Sequence, residues 1–157
     1  SAIMSAVLAA SLFLPSPDRS PPQFTPAQLA DWKDVCRWIA AETPEGALFL
    51  TPTYGWGFKW YAQRPEFVTY KDVPQDAAGV VEWNNRLIAL AAWTSENRNE
   101  AGGFRPGALE RLQKTLKEHE PAGVDYIVSV DGMLGPFPLP VVYENETCRV
   151  YRWNDGP

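Results

Sequence analysis

The chain has 157 residues, a net charge of −5, 45% apolar and 21% charged residues, which is one domain's worth of ordinary globular composition. The acidic balance excludes the clustered Lys/Arg footprint that nucleic acid requires. Cys36 and Cys148 occur in neither C-x-x-C spacing nor a His/Cys cluster, so the usual zinc sites are not indicated, and no cofactor or metal is expected.

Two compositional features stand out. Fifteen prolines imply many stiff connections. Seven tryptophans, six tyrosines and seven phenylalanines imply a core or groove rich in flat rings.

Residues 2–14 carry no charge, and five prolines follow between Pro15 and Pro26. The apolar run is too short to span a bilayer alone and lacks a signal peptide's basic segment. It reads as the end of a transmembrane helix, with residues 15–25 as a Pro-rich linker and 26–157 as a single domain. The alternative is an apolar helix packed on the domain itself.

Thr25-Pro26 is a helix start, with Thr able to cap and Pro suited to the first helical position. Leu29, Trp32, Val35, Cys36 and Ile39 then recur at helical spacing, which makes Cys36 a small buried hydrophobe. "ALFL" (47–50) has the length of a buried strand, 57–63 reads as a short helix, and "EFVTY" (66–70) as a second strand. A longer helix covers 77–93, with Val80, Val81, Trp83, Leu87, Ile88 and Leu90 as its apolar face. A polar loop follows, and then a helix opened by Pro106 that carries Leu109, Leu112 and Leu116 on one stripe. "DYIVSV" (125–130) is a third strand, and "LPVVYE" with "TCRVYRW" reads as a hairpin. This alternation predicts an α/β three-layer, Rossmann-like sandwich with a mostly parallel sheet and a C-terminal antiparallel hairpin.

Parallel sheets take ligands at the carboxyl ends of their strands. Applied here, that rule gathers Thr51, Tyr54, Trp56, Lys71, Asp72 and Asp131 as a candidate ligand-binding rim of hydroxyls, rings, one cation and two carboxylates. Gly55-Trp56-Gly57 lacks the third glycine of a dinucleotide fingerprint, since Trp60 stands in its place, and no Lys-Ser/Thr pair completes a P-loop. His119 is the single histidine and no serine lies in a G-x-S-x-G elbow, so no catalytic set is assigned. Asp72 and Asp131 keep a carboxylate-pair enzyme open as the alternative. In the aromatic loop, Phe58 and Tyr61 are three apart and expected to point inward; Trp56 and Trp60 form the other stripe, suited to sugar rings or lipid headgroups.

The stretches "DWKDVCRWIAAETPEGALFLTP", "FKWYAQRPEFVTYKDVP", "VVEWNNRL" and "GVDYIVS" together resemble the soluble C-terminal region of certain bacterial polytopic membrane proteins. Many of those are similar to mannosyltransferase-type, lipid-linked-sugar glycosyltransferases. The resemblance covers residues 31–130. It implies parentage rather than activity, with the domain on the extracytoplasmic side. The apolar start, the Pro-rich linker, the aromatic loop and the missing catalytic sets then lead to the expectation of a non-catalytic accessory domain at the cell membrane, whose partners are the membrane part of its own chain and a glycan or lipid-linked sugar. The matching positions, Thr51, Arg64, Lys71, Asp72, Glu82, Trp83 and Arg86, carry over as recurrent features without assigned roles. A third possibility is an assembly module, in which the apolar start and exposed rings bind another subunit.

Overall fold

The computed structural model describes residues 24–55, 57–131 and 133–153. The apolar stretch 2–14, most of the Pro-rich linker, and Trp56 lie outside the described residues. Phe24 and Thr25 already belong to the folded unit: Phe24 is buried against the Trp32 ring, with centroids 5.7 Å apart.

Helix α1 (Pro26–Glu42) begins where the sequence indicates, in a capping box: the Gln28 N–H donates to Thr25 Oγ1, and the Thr25 N–H donates to Gln28 Oε1. Its buried stripe is Leu29, Trp32, Val35, Cys36 and Ile39. The next elements are β1 (Phe49–Leu50), the short helix α2 (Phe58–Ala62), the long helix α3 (Ala77–Asn97) and α4 (Ala108–His119). Three strands follow, β2 (Tyr126–Val130), β3 (Val141–Glu144) and β4 (Cys148–Arg152).

The sheet runs in the order β1-β2-β4-β3, with β1 and β2 parallel and the other two pairings antiparallel. This corrects the expectation of a mostly parallel, Rossmann-like sandwich: the sheet is small and mixed, with a single parallel strand pair. Two local causes are visible. Every residue of β2 is buried, so both of its edges need backbone partners; β1 takes one and the returning chain, as β4, takes the other. The expected strand 66–70 contributes only a bridge between Glu66 and Phe49. Pro52 has no N–H to extend the ladder beyond β1.

The backbone groups of that segment are satisfied in other ways. Phe67 N–H donates to Phe49 O at 2.8 Å, and Tyr70 N–H to Thr53 O at 3.0 Å. On its far side, side chains of α3 stand in for a neighbouring strand. Trp83 Nε1 donates to Thr69 O at 2.8 Å and Arg86 Nη1 to Phe67 O at 3.1 Å.

Strand alternation sends side chains to opposite faces, and helices cover both. One core gathers the α1 stripe with Phe49, Phe58, Tyr126, Val128, Val130, Cys148 and Val150. The other joins Leu50, Ile127 and Tyr151 to Leu87, Leu90 and Trp93 of α3 and Leu112 and Leu116 of α4. Leu109 packs on this second core from a half-buried position. Cys36 and Cys148 are both free thiols in the first core, and burial pushes both above the usual thiol range, Cys148 to about 11. Such thiols are unreactive at neutral pH.

The inward stripe of α3 is Trp83, Leu87, Leu90 and Trp93. Val81 and Ile88, expected on the apolar face, are instead about 60% exposed. Among the described residues no helix is long and apolar enough to cross a membrane.

The aromatic loop after β1 divides as expected where it is described. Phe58 is buried, Tyr61 packs at the border of the first core beneath Lys33, and Trp60 is 81% exposed. Gly55 is required there by space. A Cβ at that position would meet Pro52 O at 2.9 Å and the Trp32 ring at 3.2 Å. Gly55→Ala is therefore expected to lower stability by about 1–2 kcal/mol, measured by urea unfolding. A neutral result would mean that the 52–55 turn can shift away from Trp32 at no cost.

Candidate functional site

Beyond the carboxyl ends of the parallel pair lies a cleft of about 600 Å³. Residues 50–54 leaving β1 form one wall, α3 from Leu87 to Ser95 forms the other, and Met133 and Leu134 after β2 close the end. The helix supplies Leu87, Leu90, Ala91 and Trp93, so the cleft is largely apolar, with Thr51, Thr53, Thr94 and Ser95 as the hydroxyl-bearing residues of its lining. Trp93 is fixed there because its Nε1 donates to Ala108 O at 2.9 Å.

Tyr54 and Tyr70 stand at the lip, stacked with centroids 4.7 Å apart and planes 27° from parallel. Both are about half exposed. Partial burial, together with the neighbouring Tyr54 hydroxyl, raises the Tyr70 phenol above its ordinary value. The pair presents a flat aromatic edge with two hydroxyls, a surface that accepts a sugar ring or an aromatic ring against its face.

Among the residues expected from sequence, the structure brings Thr51 and Tyr54 together in this cleft. Thr51 is 1% exposed and its hydroxyl donates to Glu66 Oε2 at 2.6 Å. Lys71 is exposed in the loop after Tyr70 and is not part of the cleft wall. Asp72 forms a 2.5 Å ion pair with Lys59 and lines a second, charged cleft of about 230 Å³ with Glu66, Glu82, Trp83 and Arg86. Asp131 is exposed and lies 3.6 Å from Arg149 Nη1. The two carboxylates considered as a catalytic pair thus engage different cations, Asp72 with Lys59 and Asp131 with Arg149. Among the described residues no group of three His, Cys, Asp or Glu side chains is arranged to hold a metal.

The sequence reading missed Tyr70, Glu66 and the whole helical wall. Tyr70 was assigned only to the strand 66–70, although its place at that segment's carboxyl end is the signal used for its neighbours. Glu66 is the more informative omission. It follows Pro65, is part-buried, and its carboxyl is pushed up to about 7, chiefly by burial, with Asp72 adding and the Thr51 hydrogen bond and Lys59 opposing. A carboxyl group poised at neutral pH beside a cleft is a common mark of a functional position.

Two arginines build the scaffold behind the site. Arg86 pairs with Glu82 at 2.8 Å, donates to His119 O at 3.0 Å, and lies over the Phe67 ring at 4.8 Å, tying α3 to α4 and to segment 66–70. Arg64 is 6% exposed and donates to Ala40 O, Thr43 O, Thr43 Oγ1, Ala62 O and Gln63 O. These acceptors are the carbonyl ends of α1 and α2 and a threonine between them, so the guanidinium caps two helices at once.

Residues 30–90 match a family described as a domain of unknown function (DUF6798). The matched region runs from α1 to Leu90 of α3, and so contains Arg64, Glu66, Arg86, both lip tyrosines and the first two residues of the helical wall, Leu87 and Leu90. No curated protein matches the sequence.

Proposed function

We propose that this chain is a non-catalytic binding module, an accessory domain of a larger membrane protein, whose cleft receives an amphiphile of the lipid-linked-sugar kind. The observation that carries the reading is the cleft of about 600 Å³ with apolar walls and a stacked tyrosine lip. Its volume lies in the range of small-molecule sites, and such sites are mostly apolar with a few placed polar groups. The apolar floor suits a prenyl or acyl chain, and the tyrosine edge suits a sugar ring. The uncharged stretch 2–14 and the resemblance of 31–130 to the C-terminal regions of polytopic membrane proteins support a membrane context with the domain on the extracytoplasmic side.

Ala91 gives a direct test, because it lines the cleft from an exposed position on α3 and a larger side chain there does not disturb the core. In a thermal-shift panel of alkyl glycosides and short polyprenyl-phosphate sugars, a ligand at a hundred times its Kd is expected to stabilise the wild-type domain by about 2.7 kcal/mol. Ala91→Trp is expected to abolish that shift while melting like the wild type alone. A shift that survives Ala91→Trp would place the ligand elsewhere, and no shift across the panel would remove the proposal.

A further inference from the structure

The large apolar cleft and the small charged cleft are lined by adjoining residues of segment 66–70, and one hydrogen bond connects a residue of each. Tyr70 lines the first, Glu66 to Thr69 line the second, and Thr51 lines the first while bonding Glu66 in the second. We propose that Glu66 sets the hydrogen-bonding polarity of Thr51 toward the large cleft, and is thereby the residue that makes ligand selection there depend on pH.

The chemistry follows from what each group can offer. An ionised carboxylate only accepts, so it takes the Thr51 hydroxyl proton, and Thr51 can then offer the cleft nothing but lone pairs. A protonated Glu66 can donate to Thr51 Oγ1, and the Thr51 proton is then free to point into the cleft. No heavy atom moves; the same 2.6 Å contact reverses its direction. Ligands that present an acceptor at the cleft floor are therefore favoured when Glu66 is neutral. Those that present a donor are favoured when it is charged.

The surroundings keep this proton responsive. The Cys36 thiol of α1 lies within electrostatic range of Glu66, and Lys59 of α2 and Asp72 of the following loop act on the Glu66 carboxyl with opposite signs. Glu82 and Arg86 of α3 line the same cleft, already paired with each other at 2.8 Å, and His119 of α4 contacts Glu82. Burial opposed by the Thr51 bond brings the carboxyl to about 7, inside the physiological window.

The inference rests on the large cleft being a ligand site, and the test separates the two. Binding of 2-octanone, whose carbonyl only accepts, and of 1-octene, which has no hydrogen-bonding group, is followed by shifts of the Leu87 and Leu90 methyl resonances at pH 5.5 and 8.5. The expected result is that 2-octanone binds about five-fold more tightly at the lower pH, the worth of one net hydrogen bond, while 1-octene is indifferent. Glu66→Gln, whose amide can donate to Thr51 as the neutral acid does, should hold the tighter value at both pH values. Thr51→Val should remove the difference by removing the relay, and His119→Gln should retain it. Binding of both probes without pH dependence overturns the relay and leaves the cleft reading standing. Binding of neither probe overturns both.

Discussion

Replacing Arg64 by alanine is expected to destabilise the domain by about 3 kcal/mol, read as a fall in the urea midpoint at unchanged slope. The guanidinium is 6% exposed, and the groups it bonds are four carbonyls and one hydroxyl. Its charge is accommodated by the negative ends of two helix dipoles that converge on it. Removing it leaves Ala40 O and Thr43 O, bonded at 2.8 and 2.6 Å, without a donor in a site too closed for free hydration. Lysine is not an adequate substitute, because its single ammonium cannot span the acceptors of both helices in the planar fork that arginine provides. Arg64→Lys should recover less than half of the loss. A cost below 1 kcal/mol for Arg64→Ala would show that water enters and replaces the fork.

The second large effect is on the pH dependence of stability. Glu66 in the folded chain titrates at about 7 against an ordinary value of 4.5. Its raised value means that the native state holds the proton through a range in which the unfolded chain has released it. The stabilisation is fully present below pH 4.5 and is lost as pH rises through the folded value near 7. The full loss is about 3 kcal/mol, or roughly 10 °C in melting temperature for a domain of this size. Glu66→Gln is expected to flatten the profile between pH 5 and 8 and to melt above the wild type at pH 8. Glu82 contributes in a separate window. Its hydrogen bond from Arg86 lowers its carboxyl, so that contribution is lost only as pH falls below the ordinary carboxylate range. A wild-type profile already flat from pH 5 to 8 would mean that Glu66 is hydrated in the folded state and exerts no such effect.

The helical half of the molecule was legible because its signals are local. Thr25 and Pro26 are adjacent, so the start of α1 is written in two residues. The same holds for Leu112 and Leu116, one turn apart on α4. Sheet order was not legible, because it depends on β4 returning across the chain to satisfy the free edge of β2. Nor does local periodicity say that Val81 and Ile88 stay outside; only the position of the sheet chooses which apolar stripe of α3 is covered. The site divides along the same line. Thr51 and Tyr54 can be placed at the cleft from the sequence because they directly follow a strand. The wall formed by Leu87, Leu90 and Trp93 was not, because it comes from a helix whose residues read as ordinary core. Glu66 reads as an exposed strand residue until Thr51, fifteen residues earlier, is placed against it.

The substitution of α3 side chains for a neighbouring strand has a consequence for how the molecule behaves in crowded solution. An open sheet margin invites another chain to add backbone to backbone, the first step toward ordered aggregation. On one flank, Trp83 and Arg86 already occupy the carbonyls of Thr69 and Phe67 that an added strand would need. At the opposite margin, β3 is four residues long, follows Pro140 and breaks register between Val141 and Tyr143. Short length, a preceding proline and a bulge each spoil the straight ladder that an incoming strand would extend. Both borders of this sheet are finished within the fold, so the apolar strands inside it are withheld from intermolecular pairing as long as α3 stays docked.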